Sequence, residues 1–389
     1  MTDRISAETA RGNRWHDLLR TRRKKIWDGL SGMGCDAGLV YSSAEHPAPF
    51  RYLTDYRPPL GDMWGVLTEA GAMSCVLTFH WGLDEARLRS GISEWSGEFD
   101  PVPHVARLLG EAAPSSIGVI GFGRVPAAAL TRIQSALGSA SLRDADELTL
   151  GLRRRKTSEE LARLTEAASI TERAIQASMQ TILPGTTERE IAARLAYEIR
   201  RQGGDLAFPP MALTGGRNPV IFRPPTTDPL RHGMCVMIDV GAEYEGYQAD
   251  IARTFVLGHP GAELRRAFDA VRSAHEAILE SARPGVPCRA LHVAGADVLQ
   301  RAGYDIHHRM GHGVGLATSF EWPSLDTEDA PLEEGMTLAI EPAVYVKEVG
   351  SIKLEDMIHI TSSGYSFLSR GPRALGRIEE GHVVYERGT

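Results

Sequence analysis

Five segments in the second half of the chain each set one metal-ligating side chain among apolar residues or glycines. These side chains are Asp239, Asp250, His312, Glu341 and Glu355. A lone buried acid is usually ion-paired, and a lone His among glycines is usually a hydrogen-bonded loop residue. Four carboxylates that converge would repel each other strongly, and two divalent ions would relieve that repulsion. Oxygen-rich ligands with one imidazole suit Mn²⁺, Co²⁺, Fe²⁺ or Zn²⁺, so the set predicts a two-metal site that activates water.

Strand-like stretches position these carboxylates. The stretches 234–242 and 249–257 carry the two aspartates, and the turn Glu243 to Gly246 predicts that they fold side by side. The stretches 336–346 and 351–361 carry the two glutamates. We therefore expect the acids to project from a sheet toward one point.

Helices precede both groups of strands. The capping boxes Thr157 to Glu160 and Thr187 to Glu190 predict the starts of two helices. Amphipathic patterns over 262–282 and 288–302 predict two more. Two rounds of paired helices followed by strands suggest an internal duplication.

The first part of the chain has a different pattern. A length of 389 residues is long for a single core and favours two domains. Alternating strand and helix patterns between 37 and 136 predict a small α/β domain, which ends near the basic run Arg153 to Lys156. We predict domains at 1–154 and 155–389.

Composition excludes several classes of function. A formal net charge of -7 offers no electrostatic attraction to nucleic acid or anionic lipid. The four cysteines form no CxxC pair, which favours reduced thiols in a cytoplasmic protein. The polar stretch 1–13 lacks an apolar signal segment, and no apolar run has the length of a membrane span. We expect no membrane partner.

The order and spacing of five motifs resemble the M24 "pita-bread" metallopeptidase family, in its creatinase, prolidase and aminopeptidase P branch. The motifs are Ile238-Asp239-Val240-Gly241, Asp250-Ile251-Ala252-Arg253-Thr254-Phe255, Gly311-His312-Gly313-Val314-Gly315, Glu341-Pro342 and Leu354-Glu355-Asp356. The resemblance implies an α+β fold, with a small N-terminal creatinase-like α/β domain before a C-terminal pita-bread domain of duplicated αββ units. It also implies two divalent ions, with Mn²⁺ as the expected metal, and a homodimer.

The resemblance also implies a role for each ligand. Asp239 would chelate one metal, and His312 and Glu341 would hold the other. Asp250 and Glu355 would bridge both. All five ligand positions are filled, which argues for an active enzyme. A metal-activated hydroxide would attack a carbonyl carbon.

Two pocket residues are expected to handle protons. Glu341 would act as proton shuttle as well as ligand, and His308, which precedes the Gly311-His312 motif, would line the pocket and assist catalysis.

In a homodimer, the N-terminal domain would help to close the partner's site. Trp64, Tyr56 and Arg51 are candidates for reaching a neighbouring pocket.

The sequence departs from the family pattern at two histidines. After Asn218, Arg223 stands where one His is expected, and Ser319 or Phe320 stands where the other is expected, just before Glu321. Arginine cannot donate a proton at neutral pH, but it can grip a carboxylate through two hydrogen bonds. We therefore predict substrate contacts from Arg223, Glu321 and Asn218. The alternative for Arg223 is a structural salt bridge.

Three functions fit these observations. The first is a metal-dependent Xaa-Pro dipeptidase or aminopeptidase of prolidase type, which the ligands and the domain layout favour. The second is a non-peptidase enzyme on the same scaffold, a hydrolase of the ectoine or creatine type or a dimethylsulfoniopropionate-type lyase, which the two replaced histidines favour. The third is a binding module without catalysis, against which the complete ligand set argues. We expect the first.

Overall fold

The structure is a computed structural model that describes residues 2–69, 71–215, 222–317 and 321–385, with side chains from residue 14 onward. The chain divides into two compact units, Met1–Arg153 and Arg154–Thr389. No helix in the described ranges combines the length and apolar character that crossing a bilayer would need. The mixed helix and strand content confirms the α+β expectation.

The first unit is a six-stranded sheet with helices against it. Its helices are α1 (Thr2–Gly32), α2 (Ala48–Thr54), α3 (Leu83–Ser90), α4 (Val102–Glu111), α5 (Ala127–Leu137) and α6 (Asp146–Arg153). Its strands are β1 (Ala37–Ser43), β2 (Asp62–Glu69), β3 (Ala72–Leu77), β4 (Trp95–Gly97), β5 (Ser116–Ile120) and β6 (Ser141–Asp144). The strand order is β4-β3-β2-β1-β5-β6, and β1 pairs with β5 in parallel. The predicted α/β character of this part is confirmed.

The side chains that we expected to reach a neighbouring subunit lie inside this unit. Trp64 is 1% exposed, Tyr56 3% and Arg51 9%. Trp64 packs in one core with Leu39 and Val119. Buried side chains cannot extend into another molecule, so this expectation was wrong.

The second unit repeats the order of a helix pair followed by antiparallel strands. Its helices are α7 (Ser158–Met179), α8 (Glu188–Arg201), α9 (Ala262–Ser281) and α10 (Cys288–Arg301). The strands of the first half are β7 (Asp205–Leu206), β8 (Met211–Thr214), β9 (Cys235–Val240), β10 (Ala242–Tyr244), β11 (Tyr247–Gln248) and β12 (Ile251–Leu257). Those of the second half are β13 (Gly311–Gly313), β14 (Glu321–Ser324), β15 (Thr337–Ile340), β16 (Ala343–Val346), β17 (Gly350–Lys353), β18 (Asp356–Ile360), β19 (Tyr365–Phe367), β20 (Gly376–Glu379) and β21 (His382–Tyr385).

Two five-stranded sheets of this unit carry the predicted site. One has the order β21-β20-β12-β9-β8 and the other β14-β13-β15-β18-β19. The predicted hairpin is present, because β9 and β12 run antiparallel with Asp239 opposite Ala252. Both predicted capping boxes are also present, at Thr157 and Thr187, where they satisfy backbone N–H groups in the first turns of α7 and α8.

The two strands that we predicted around the glutamates are each broken in two. One breaks between β15 and β16 at Glu341-Pro342, and the other between β17 and β18 at Leu354-Glu355. The backbone N–H of Glu341 donates to Met310 and that of Glu355 donates to Ala252. Pro342 has no N–H to contribute to a ladder. Glu341 and Glu355 therefore lie in the breaks between strands, outside the regular hydrogen-bonded ladders.

All four cysteines are free and buried. Cys35 and Cys75 belong to the first unit, and Cys235 and Cys288 to the second. Burial raises the pKa of the Cys235 and Cys288 thiols to about 12. The prediction of reduced thiols agrees with this arrangement.

Candidate metal centre

The hairpin of β9 and β12 brings the two aspartates together. Asp239 lies in β9 and Asp250 directly precedes β12, and both are buried. Gly241 follows β9, and a Cβ built there would lie 1.8 Å from the carbonyl oxygen of Ala249. Since any side chain at this position would collide with the backbone, glycine permits the close approach that sets Asp250 beside β9.

The second half of the unit supplies the remaining three predicted ligands. His312 is the central residue of β13, opposite Ala339 of β15. Glu341 follows the last residue of β15, and Glu355 lies between β17 and β18. The backbone N–H of Glu355 donates to the carbonyl of Ala252 in β12 at 3.0 Å. This bond ties the second half directly to the aspartate hairpin.

The structure brings all five predicted ligands together. His312 Nε2 lies 3.5 Å from Asp250 Oδ2 and 3.5 Å from Glu341 Oε1. One ligand atom each from Asp250, His312 and Glu355 lie within 4.8 Å of one another. Asp239 and Glu355 both contact the side chain of Lys353, which also contacts Glu341.

His312 is oriented for ligation. Its Nδ1 lies 2.9 Å from the carbonyl oxygen of Gly313, which assigns the proton to Nδ1 and leaves the Nε2 lone pair facing Asp250 and Glu341. Burial is the main reason that its pKa lies below the usual value. A neutral imidazole with a free Nε2 is the form that binds a metal ion.

The carboxylates are under electrostatic strain. Burial raises the pKa of Asp250 well above its usual value, and the charges of Glu355 and Asp239 raise it further. Burial also raises the pKa of Glu355, and Lys353 offsets this only in part. Burial alone would raise the pKa of Glu341, but Lys353, His312 and His308 together hold it below its usual range.

These donors fit a pair of divalent ions. Asp239 Oδ1 and both carboxylate oxygens of Glu355 are buried without a hydrogen-bond partner among the described residues. Buried carboxylate oxygens normally have partners, and their absence here marks atoms that are available to a cation. Four carboxylates with one imidazole are the donor set of a carboxylate-bridged pair of ions.

Lys353 is a residue of this cluster that sequence analysis missed. Its Nζ donates to Asp239 Oδ2 at 2.8 Å and lies 2.7 Å from Glu341 Oε2. It also lies 3.2 Å from Glu355 Oε2, without hydrogen-bond geometry. Burial opposes its charge, but Asp239, Glu341 and Glu355 raise the pKa of Lys353 well above its usual value. The sequence offered no clear signal for it, because Lys353 ends β17 and Glu355 lies in the break before β18.

Asp356, which is fully buried, organises a second network next to Glu355. It accepts from Arg253 Nη2 at 2.8 Å, from Arg373 Nε at 2.7 Å and from Ser369 Oγ at 2.7 Å. Arg253 also donates to the backbone carbonyl of Glu355. Burial would raise the pKa of Asp356, but Arg253, His275 and Arg373 hold it far below its usual range. The network therefore fixes the backbone from which Glu355 projects.

His308 is partly buried and lies near Glu341 and Tyr345. Its Nδ1 contacts the backbone carbonyl of Arg309, and its Nε2 is buried without a hydrogen-bond partner among the described residues. Its ring meets that of Tyr345 edge to face, with centroids 5.7 Å apart. Burial is the main cause of its lowered pKa, which the charge of Glu341 counteracts in part.

The predicted substrate residues have different surroundings. Arg223 Nη2 donates to Glu188 Oε1 at 2.6 Å, and its Nη1 donates to Glu188 Oε2 at 2.5 Å. This bidentate pair is the structural salt bridge that we considered as the alternative for Arg223. Glu321 is buried, and its Oε1 accepts from the backbone N–H of Leu316. Asn218, Ser319 and Phe320 lie outside the described residues.

The comparisons with known proteins agree on one family. The model described as "Metallopeptidase family M24" matches residues 162–362. The chain is 30% identical to an Xaa-Pro dipeptidase of Pyrococcus horikoshii over 92% of this chain and 99% of the relative. The crystal structure of the prolidase from Pyrococcus horikoshii OT3 superposes with a TM-score of 0.83 at 25% identity, covering 91% of this chain and 99% of that one. An X-Pro aminopeptidase from Thermotoga maritima superposes with a TM-score of 0.83 at 26% identity, over 92% and 99%.

Proposed function

We propose a function from one premise: this chain belongs to metallopeptidase family M24. The protein is a metallohydrolase that cleaves Xaa-Pro dipeptides with the help of two divalent metal ions. The observation that carries this proposal is the buried cluster of Asp239, Asp250, His312, Glu341 and Glu355 with its unpartnered oxygens. A cluster of this charge has no structural purpose that an apolar core would not serve better.

Each ligand has a proposed role. Asp239 would hold one ion, His312 and Glu341 would hold the other, and Asp250 and Glu355 would be shared between them. The close approach of Asp250, His312 and Glu355 supports the part of this assignment in which these three residues share one ion. When bound, the ions lower the pKa of a shared water and polarise the scissile carbonyl.

The protein residues handle the proton and exclude competing reactions. Glu341, whose pKa is held low, is ionised at neutral pH and accepts the proton that the attacking water loses. His308 is neutral there, because its pKa is lowered, and its unpartnered Nε2 can accept the proton from Glu341 and pass it on to the leaving amine. Glu341 and the Nε2 atom of His308 are both buried, which keeps bulk water from competing for that proton.

The relatives support a dipeptide substrate, whereas the two replaced histidines count against it. Proteins named as Xaa-Pro dipeptidases match over most of the chain, while an X-Pro aminopeptidase shares the fold. Arg223 is engaged by Glu188, so the carboxylate grip that we predicted for it would require that pair to open. Arg223, Glu321 and Asn218 stay proposed substrate contacts.

Several finer expectations belong to the same proposal. Mn²⁺ is the proposed metal, with Co²⁺, Fe²⁺ and Zn²⁺ as alternatives, and the location is cytoplasmic. The units Met1–Arg153 and Arg154–Thr389 support the domains 1–154 and 155–389. A homodimer is supported by an exposed aromatic cluster in the first unit, where Trp81 is 55% exposed and stacks on Phe79 at 4.7 Å.

The test is release of proline from a panel of Xaa-Pro dipeptides by metal-stripped protein, with and without Mn²⁺. Xaa-Pro-Yaa tripeptides in the same panel separate dipeptidase from aminopeptidase activity. Glu355→Gln should abolish release, since it removes a bridging carboxylate. Glu334→Gln, at an exposed position, is the matched control and should behave as the wild type.

Metal-dependent release of proline from dipeptides would support the proposal. Bound metal without release from any peptide would overturn it. The alternative would then be a hydrolase or a lyase that acts on a small carboxylate-bearing metabolite. Release that survives complete removal of metal would contradict the two-metal site itself.

A further inference from the structure

The carboxylate cluster contains a cation of its own, supplied by Lys353. Its side chain is 10% exposed, and its Nζ lies 2.8 Å from Asp239, 2.7 Å from Glu341 and 3.2 Å from Glu355. An ammonium group has three donors, and here it faces one oxygen of each of three predicted ligands. Lys353 therefore contacts a predicted ligand from the first half of the second unit, Asp239, and two from its second half, Glu341 and Glu355.

The base of the Lys353 side chain is fixed. Its backbone N–H donates to Thr254 Oγ1 at 3.0 Å, and its carbonyl accepts from the same hydroxyl at 2.9 Å. Thr254 is buried in β12, so this pair of bonds holds the end of β17 against the aspartate hairpin. Only rotation within the lysine side chain can move the ammonium group away from the carboxylates.

The oxygens divide into those that Lys353 contacts and those left over. Lys353 faces Asp239 Oδ2, Glu341 Oε2 and Glu355 Oε2, while Asp239 Oδ1 and Glu355 Oε1 have no hydrogen-bond partner among the described residues. An ion that ligates these groups shares their negative charge with the ammonium group. At separations of a few ångströms inside a protein, two positive charges repel each other strongly.

We propose that Lys353 is a built-in counter-ion that competes with the divalent ions for Asp239, Glu341 and Glu355. It stabilises the carboxylate cluster in the metal-free chain, because its ammonium group lies within 3.2 Å of three of the four buried carboxyl groups, whereas Arg309 lies 3.5 Å from Glu341. It also weakens the binding of divalent ions, because its charge stays within the site. This inference rests on the proposed function for the identity of the ions.

The test compares metal binding by three variants with that of the wild type, without any assay of peptidase activity. The variants are Lys353→Met, Lys353→Arg and the control Lys347→Met, at an exposed lysine between β16 and β17. Calorimetric titration of metal-stripped protein with Mn²⁺ gives affinity and stoichiometry. We expect Lys353→Met to bind Mn²⁺ about tenfold tighter or more, the effect of about 1.4 kcal/mol of removed repulsion. Lys353→Arg and Lys347→Met should stay within a few fold of the wild type.

A second readout is thermal unfolding of the metal-stripped proteins. Lys353→Met should melt at a lower temperature than Lys347→Met, and Mn²⁺ should raise its melting temperature by a larger increment. If Lys353→Met folds only with Mn²⁺, release of Mn²⁺ into excess chelator replaces the titration, and release should be slower than from the wild type.

Unchanged or weaker Mn²⁺ affinity in Lys353→Met, or equal or faster release, would overturn the proposal and make Lys353 a support of the metal site. The outcome is separable from that of the proposed function. A wild-type chain that binds Mn²⁺ but cleaves no Xaa-Pro peptide would overturn the proposed activity and leave the competition intact.

Discussion

Gly241 and Ala249 face each other so closely that a Cβ on Gly241 would lie 1.8 Å from the carbonyl oxygen of Ala249. The contact joins the end of β9 to the residue that precedes Asp250, and Phe208 closes it from another side at 3.0 Å. The separation of the two aspartates therefore depends on the absence of a single methyl group.

Gly241→Ala is expected to lower the free energy of unfolding by about 3 kcal/mol or more, because backbone must move to admit the methyl group. It should also weaken Mn²⁺ binding, since Asp250 would move with Ala249. Denaturant unfolding and calorimetric titration check both effects. Gly261→Ala is the control, because its Cβ would meet nothing within 4 Å and its φ is -66°, so only the N-cap preference for glycine is lost, at a cost of about 1 kcal/mol at most. Equal behaviour of the two variants would refute the steric argument.

Asp356→Asn should destabilise the protein by about 3–5 kcal/mol, because it leaves the buried charge of Arg253 without its partner. Mn²⁺ affinity should fall as well, since Arg253 also holds the carbonyl of Glu355. Asp329→Asn removes an exposed ion pair with Arg289 and should change stability by about 1 kcal/mol at most. Wild-type stability of Asp356→Asn would show that the network is dispensable.

His308→Asn should lower kcat by about 10²–10⁴, the range for loss of a positioned proton donor or acceptor. Mn²⁺ stoichiometry should stay unchanged, because His308 is outside the predicted ligand set. Steady-state kinetics with an Xaa-Pro dipeptide, paired with metal analysis of the same sample, separates the two effects. Normal kcat, or loss of metal, would each rule out the assigned role.

Arg223→Met should lower the free energy of unfolding by about 3 kcal/mol, because it leaves the buried carboxylate of Glu188 without its cation. Glu188→Gln should also lower it, because a neutral amide replaces the carboxylate that accepts from Arg223. If the pair is structural, the two variants also share one substrate profile. A selective loss of activity toward carboxylate-bearing substrates in Arg223→Met, absent from Glu188→Gln, would instead support Arg223 as a substrate contact.

The ionisation of Glu188 predicts that the free energy of unfolding falls at acidic pH. Burial would raise its pKa, but hydrogen bonds from Arg223, Thr214 and Thr226 outweigh burial and lower it from 4.5 to about 2. A lowered folded-state pKa means that this stability is complete above pH 4.5 and is lost as pH falls toward 2, by about 3 kcal/mol in total. Urea unfolding between pH 6 and pH 2.5 measures the loss. Arg223→Met should show a shallower decline over this range, and an identical decline would contradict the assignment to Glu188.

The ligand cluster could be anticipated from sequence because each acid breaks an otherwise apolar pattern. Asp239 is a charge within a strand in which every residue is buried, and His312 lies between two glycines. The breaks in the predicted strands at Glu341 and Glu355 could not be anticipated. They depend on hydrogen bonds to Met310 and Ala252, which lie 31 and 103 residues away in the chain.

Two cations could not be placed from sequence for a similar reason. A lysine inside a strand pattern usually marks an exposed edge, and only the approach of Asp239, from 114 residues earlier, makes Lys353 part of the site. Arg223 could be read as a substrate contact because its partner, Glu188, also fits the ordinary role of an acid in the first turn of a helix.

The burial of all four thiols turns the cysteines into reporters of opening. Cys35 and Cys75 sit in one unit, and Cys235 and Cys288 in the other, so a maleimide can reach each pair only when its own unit exposes its interior. Alkylation followed by peptide mapping would measure the opening rates of both units in a single sample, with no engineered label. We expect added Mn²⁺ to slow modification of Cys235 and Cys288 selectively, since the proposed metal ligands lie in the unit that contains them.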